Sequence, residues 1–188
     1  MNKPTLILAS ASPRRRELMA LTGLTFTVDA PDVDESCTLP PREAVQELSR
    51  RKAIASAALH PGCIVLAADT LVSVDDKALG KPRDEEDAFA MLRALSGRWH
   101  QVYTGVTVVD ATGHVHSAVD GTDVCFEEMS NEAIRRYIAT GEPMDKAGAY
   151  AVQGVAGLWI SQLRGSHTNV IGLPMALVRR MLEDCGLL

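Results

Sequence analysis

The chain alternates short apolar runs with amphipathic stretches along its whole length. Apolar runs of strand length fall at residues 5–9, 24–28, 63–68, 71–74, 102–109 and 115–126, and helix-period patterns at 13–22, 41–59, 84–95, 130–139 and 174–184. The ends carry matching punctuation. Gly23, Gly97, Gly141 and Gly186 lie just past the helical stretches, where a left-handed residue closes a helix, and Pro13, Pro41 and Pro174 lie just inside their starts. Leu71 to Ala78 reads as a hairpin around Asp75-Asp76, and Ala111-Thr112-Gly113 as a turn between two long strands. This alternation predicts an α/β fold, a mixed twisted sheet with flanking helices. No repeat or long linker interrupts it, and 188 residues suit a single domain over 1–188.

Composition narrows the function classes. With 46% hydrophobic and 23% charged residues, the chain has the make-up of an ordinary globular protein. Its longest apolar runs, such as Ile64-Val65-Leu66-Ala67-Ala68, are too short to span a bilayer, and its first residues lack the layout of a signal peptide, so no membrane and a cytoplasmic location are expected. Cys37, Cys63, Cys125 and Cys185 form no CxxC pair, which argues against zinc knuckles and redox motifs. Cys63 and Cys125 read as small buried hydrophobes. A net charge of −5 and 4% aromatic content argue against nucleic-acid binding. They leave room for a mononucleotide, because six of the 19 basic residues cluster as Arg14-Arg15-Arg16 and Arg50-Arg51-Lys52.

The stretch Ser10-Ala11-Ser12-Pro13-Arg14-Arg15-Arg16 sits where an apolar strand hands over to a helix. Backbone N–H groups at a helix N-terminus, hydroxyls and guanidinium forks together suit a phosphate. The same residues also read as an N-cap followed by proline with surface arginines. Arg16, third in a helical row, points away from the first arginine. Residues 30–40 form a long polar connection, readable as an active-site loop or as a solvated acidic loop. Asp69-Thr70 ends an apolar run, at the carboxyl edge where open α/β sheets place ligands, or as a simple turn former. The pair His114 and His116 shares one strand face beside a turn without a third ligand nearby.

The motifs Ser10-Ala11-Ser12-Pro13-Arg14-Arg15, Ala68-Asp69-Thr70, Gly80-Lys81-Pro82, Gly141-Glu142-Pro143-Met144-Asp145-Lys146-Ala147-Gly148-Ala149-Tyr150 and Gly165-Ser166-His167-Thr168-Asn169 resemble, in order and spacing, those of the Maf-like nucleoside triphosphate pyrophosphatases. Ala-Asp-Thr is the form of the group acting on dTTP and UTP, whereas a sister group carries Ser-Asp-Gln. Two departures stand out: Ala151-Val152 replaces the commoner Gly-Ile before Gln153, and His167 stands where tyrosine is commoner. The resemblance implies an elongated, two-lobed fold with a central cleft, a homodimer, and cleavage of a nucleoside triphosphate between its α and β phosphates. It further implies that Asp69 activates water, that Glu35 is a catalytic acidic residue working with a metal, and that Lys52 and Lys81 contact phosphate. Ser10, Ser12 and Arg15 would hold the triphosphate, and Arg14, Thr70 and Gln153 would select the base. Glu35 and Asp69 would hold a divalent cation, magnesium first and manganese or cobalt as alternatives. A different class, a nucleotide-sensing regulator of cell division, could dispense with the two carboxylates that this chain keeps.

Overall fold

The protein is described by a computed structural model over residues 5–188. Strands β1 (Leu6–Ala9), β2 (Phe26–Asp29), β3 (Ile64–Val74), β4 (Lys77–Leu79), β5 (Trp99–Val109), β6 (Val115–Phe126) and β7 (Ile160–Arg164) form one seven-stranded sheet in the order β2-β1-β3-β5-β6-β7, with β4 paired to β3. The β2-β1-β3 part is parallel and the rest antiparallel. Helices are α1 (Pro13–Ala20), α2 (Pro41–Leu59), α3 (Glu85–Leu95), α4 (Asn131–Ile138), α5 (His167–Ile171) and α6 (Met175–Asp184). The mixed sheet with flanking helices is the fold class expected from the pattern. Among the described residues no helix is long and apolar enough to cross a membrane.

Most sequence signals match the element ends, although Pro174 is the N-cap of α6 rather than its first residue. Pro13 and Pro41 occupy first helical turns, and Gly23, Gly97, Gly141 and Gly186 adopt φ of 71°, 72°, 75° and 72°. Asp84 and Ser130 cap α3 and α4 by accepting from the N–H of Asp87 and Ala133. Asp75 and Asp76, at φ 50° and 57°, make the two-residue turn whose twist suits the β3–β4 hairpin.

The main departure concerns β3. The runs 63–68 and 71–74 are one strand of 11 residues, and Asp69 and Thr70 lie inside it rather than at its end. The reason is the changing neighbour. Parallel β1 stops at Ala9, opposite Ala67, while antiparallel β5 keeps pairing through Ser73. Asp69 therefore lies just beyond the carboxyl edge of the parallel half without leaving the sheet.

The same point divides the core. Leu66 and Ala68 pack with Leu6, Leu8, Met19, Val106 and Leu182, whereas Val72 and Val74 pack with Leu92, Leu95, Phe126 and Ile134. On the opposite face Ile7, Ala9, Val65 and Ala67 meet Ala53 of α2. Each fully buried Leu, Ile or Val of these clusters contributes about 1.5–3 kcal/mol. Asp69, Thr70 and Leu71 fall between the two apolar ends of the strand. Helix α2 lies unusually close to the sheet at Gly105, where a Cβ would come within 2.1 Å of the Val45 carbonyl oxygen.

Strand β7 and helix α5 carry no clear period, and the sequence pattern does not predict them. Cys63 and Cys125 are half-buried rather than buried, since Cys63 precedes β3 and borders the small cluster under α2.

Candidate active site

One cleft of about 810 Å³ opens where the two cores part, within the size range of small-molecule sites. Its walls include all ten residues singled out in the sequence: Ser10, Ser12, Arg14, Arg15, Glu35, Lys52, Asp69, Thr70, Lys81 and Gln153. Arg16 does not line it and is exposed. The 30–40 connection contributes Ala30, Pro31, Asp32 and Glu35, so this segment is a wall of the cleft.

Alternation along β3 sends Asp69 and Thr70 to opposite faces. Asp69, buried toward α2, accepts from Lys52 Nζ at 2.6 Å, and the same ammonium lies 2.8 Å from Glu35 Oε1. Lys52 thus engages one oxygen of each carboxylate and leaves each a second. The hydrogen bond from Lys52 holds the Glu35 carboxyl below its ordinary range. Arg51, one residue earlier on α2, bonds Glu47 at 2.8 Å and the carbonyls of Asp34 and Ser36 at 3.1 and 2.9 Å, fixing the turn that presents Glu35.

On the other face Thr70 Oγ1 accepts from Arg15 at 2.9 Å and lies 2.9 Å from Thr104 Oγ1. Arg15 Nε donates to the Gly172 carbonyl at 2.7 Å, and burial lowers the guanidinium pKa from its usual value. Gly172 takes a φ of 119°, a backbone conformation that L side chains rarely adopt, and a Cβ there would only touch Thr70 Oγ1 at 3.4 Å, so the backbone angle rather than the space favours glycine over this pair. Ser12 is the N-cap of α1, but its side chain makes no capping bond, which leaves the first N–H groups of the helix and the hydroxyl open to an anion.

The far wall comes from residues 141–155. Glu142 accepts from Tyr137 Oη at 2.6 Å and from the Val155 N–H at 3.1 Å, clamping the loop that carries exposed Gln153. Gly148 donates its N–H to the Gly80 carbonyl at 3.0 Å, joining this wall to the loop of Lys81. Sequence reasoning missed Asp32, Asp145 and Lys146, which also line the cleft. Asp145 pairs with Lys146 at 2.5 Å and with Arg14 at 3.6 Å. For Asp145 and Lys146 the available signal was their place within the longest matched motif, and for Asp32 its place in the polar 30–40 connection.

His114 and His116 lie 3.6 and 3.5 Å from Asp110, away from the cleft. Among the described residues no group of three or more His, Cys, Asp or Glu is arranged to hold a metal ion.

Comparison with known proteins gives the family. A protein named dTTP/UTP pyrophosphatase from Pelotomaculum thermopropionicum is 48% identical over 184 residues, covering 96% of each chain. One of the same name from Myxococcus xanthus is 49% identical over 186 residues, covering 97% of this chain and 93% of its own. Among solved structures, the Staphylococcus aureus Ham1 protein superposes with a TM-score of 0.58 at 14% identity, covering 96% of this chain and 98% of that one. A HAM1 protein from Coxiella burnetii gives 0.54 at 14%, covering 96% and 100%. These two share the fold. The Maf-like protein family model matches residues 5–185, and the chain belongs to that family.

Proposed function

We propose that the protein is a hydrolase that cuts dTTP and UTP between the α and β phosphates, releasing a nucleoside monophosphate and pyrophosphate. The relatives of that name, similar over nearly the whole length, support the substrate class. The observation that carries the chemistry is the carboxylate–ammonium–carboxylate array of Asp69, Lys52 and Glu35, set in one cleft with Arg14, Arg15 and Lys81.

In this reading Asp69 takes the proton from the attacking water, and its burial against α2 keeps its carboxylate oriented. Arg14, Arg15, Lys52 and Lys81 offset negative charge that grows on the phosphates. Ser10, Ser12 and the open N-terminus of α1 hydrogen-bond phosphate oxygens. Thr70, Gln153 and Arg14 face the base, where a glutamine amide can donate and accept side by side.

A divalent cation fits the donor set: Glu35 and Asp69 each keep an oxygen outside the Lys52 contacts, and magnesium takes one or two carboxylates with substrate phosphates. When bound, magnesium, or manganese or cobalt in its place, would supply Lewis-acid neutralisation of the triphosphate. The reading also carries a homodimer acting in the cytoplasm without nucleic acid or membrane, and the net charge of −5 supports the exclusion of nucleic acid.

A panel of nucleoside triphosphates, assayed separately for pyrophosphate and orthophosphate, tests it. Pyrophosphate from dTTP and UTP is expected, and Asp69→Asn should lower kcat about 10²–10⁴-fold with nucleotide affinity kept. Orthophosphate as the first product, or a few-fold effect of the variant, would defeat the reading.

A further inference from the structure

Thr104 lies in β5 opposite Thr70 and is fully buried. Its hydroxyl has a fixed direction, because at 3.0 Å it meets the Asn169 carbonyl oxygen, which can only accept. Thr104 has a single proton, and that bond uses it. At the 2.9 Å contact between the two threonines the donor is therefore Thr70. Thr70 also accepts from Arg15 at 2.9 Å. The four groups form a one-way chain from Arg15 through Thr70 and Thr104 to the Asn169 carbonyl.

We propose that Thr104 is a specificity-positioning residue: by taking the only proton of Thr70, it makes Thr70 a pure hydrogen-bond acceptor toward a nucleobase. The proposal rests on the base-reading role given above to Thr70. A uracil or thymine ring carries an N–H at position 3, which an acceptor satisfies, whereas cytosine has a bare ring nitrogen there. A freely rotating hydroxyl could serve either ring. A fixed acceptor favours the first and leaves the second with two opposed lone pairs, a mismatch that disfavours the wrong ring. The buried amide of Asn169 supports the fixed arrangement, since its Nδ2 bonds the Val102 carbonyl and Thr122 Oγ1, both at 2.9 Å, and so anchors the residue that accepts from Thr104.

Thr104→Val keeps the branched shape suited to a strand and removes the acceptor of the Thr70 proton. The experiment compares kcat/KM for UTP and CTP, together with calorimetric affinities for UMP and CMP, in the parent, Thr104→Val and Thr104→Ser. The preference for the uracil ring should fall on the order of tenfold in the valine variant and return in the serine variant. Thr104→Cys, whose sulfur accepts the Thr70 proton only weakly, should fall between and stands in if the valine variant does not fold. An unchanged preference in the valine or cysteine variant, or a parent that binds UMP and CMP equally, would overturn the proposal. A parent that discriminates UMP from CMP yet fails to hydrolyse UTP would instead overturn the enzymatic reading and leave this one standing.

Discussion

Lys52 Nζ sits 2.6 Å from Asp69 Oδ1, so a helix on one side of the sheet orients the carboxylate of a strand that the sheet itself holds rigid. The same ammonium reaches Glu35 on a loop. Three segments far apart in sequence are registered against each other by one side chain.

Removing that side chain should therefore cost more than a surface charge. Lys52→Met leaves two carboxylates in the cleft without their shared cation, and losing one partner from a largely desolvated pair costs about 2–5 kcal/mol, against 0–1 for an exposed pair. The expected loss in kcat/KM for dTTP is at least thirtyfold, roughly the lower end of that range. Lys52→Arg should not restore it, because a planar fork does not replace a point charge between two oxygens. A loss of threefold or less in Lys52→Met would show that the contact is incidental.

Much of this was legible in the sequence because it depends on local rules. Helix α2 spans 41–59 as its period requires, and β6 spans 115–126. The hairpin at Asp75-Asp76 follows from two adjacent residues that tolerate positive φ. Eight of the ten residues that line the cleft stand in or beside the motifs that carry the resemblance, while Glu35 comes from the 30–40 connection and Lys52 from the basic cluster of α2. What could not be read depends on distant partners. The polar pair Asp69-Thr70 looks like a strand end until β5 is known to run past it, and the five residues of β7 and of α5 are ordered by what they pack against. Asp145 and Lys146 stood inside a recognised motif, yet their part in the cleft needs the fold that brings Arg14 to them.

Gln153 offers a test of base recognition that is separate from folding, because it is exposed on a loop whose clamp is Glu142 rather than itself. Surface substitutions of this kind usually change stability by no more than about 0.5 kcal/mol. Gln153→Leu is expected to lower kcat/KM for dTTP and UTP by tenfold or more, roughly the value of lost polar complementarity, while residual ATP and GTP hydrolysis persists. Equal losses on all four nucleotides would remove Gln153 from base selection.

Gly105 shows how the fold sets the site from behind. A Cβ there would stand 2.1 Å from the Val45 carbonyl oxygen and 2.4 Å from its carbon, both backbone atoms that cannot rotate aside. Gly105→Ala must push α2 off the sheet, at about 1–3 kcal/mol, and Lys52 moves with the helix. Urea unfolding should show that loss, and kcat should drop with it. Gly80→Ala, with nothing within 4 Å of the added carbon, is expected to leave stability within about 0.5 kcal/mol. A Gly105→Ala protein of parental stability would mean that α2 and β5 can part freely.

His100 makes the fold sensitive to acid. The ring is buried between Phe126 and Tyr150, its Nε2 lies 2.8 Å from Tyr150 Oη, and its Nδ1 has no partner. A second proton would place a charged ring with an unsatisfied N–H in the core, and burial lowers its pKa from 6.5 to about 4. Because the folded value is the lower one, the unfolded chain takes up a proton first as pH falls. The stability tied to neutral His100 is complete above pH 6.5, declines between 6.5 and 4, and levels off below. At pH 5 this amounts to about 2 kcal/mol relative to pH 7. His100→Gln removes the titration and keeps a polar partner for Tyr150, so every other group contributes equally to both proteins. Urea midpoints at pH 7 and 5 should therefore show a larger acid loss in the parent than in the variant, by that amount. Equal losses would mean that the folded protein admits the proton without opening, and that His100 is not what acid attacks.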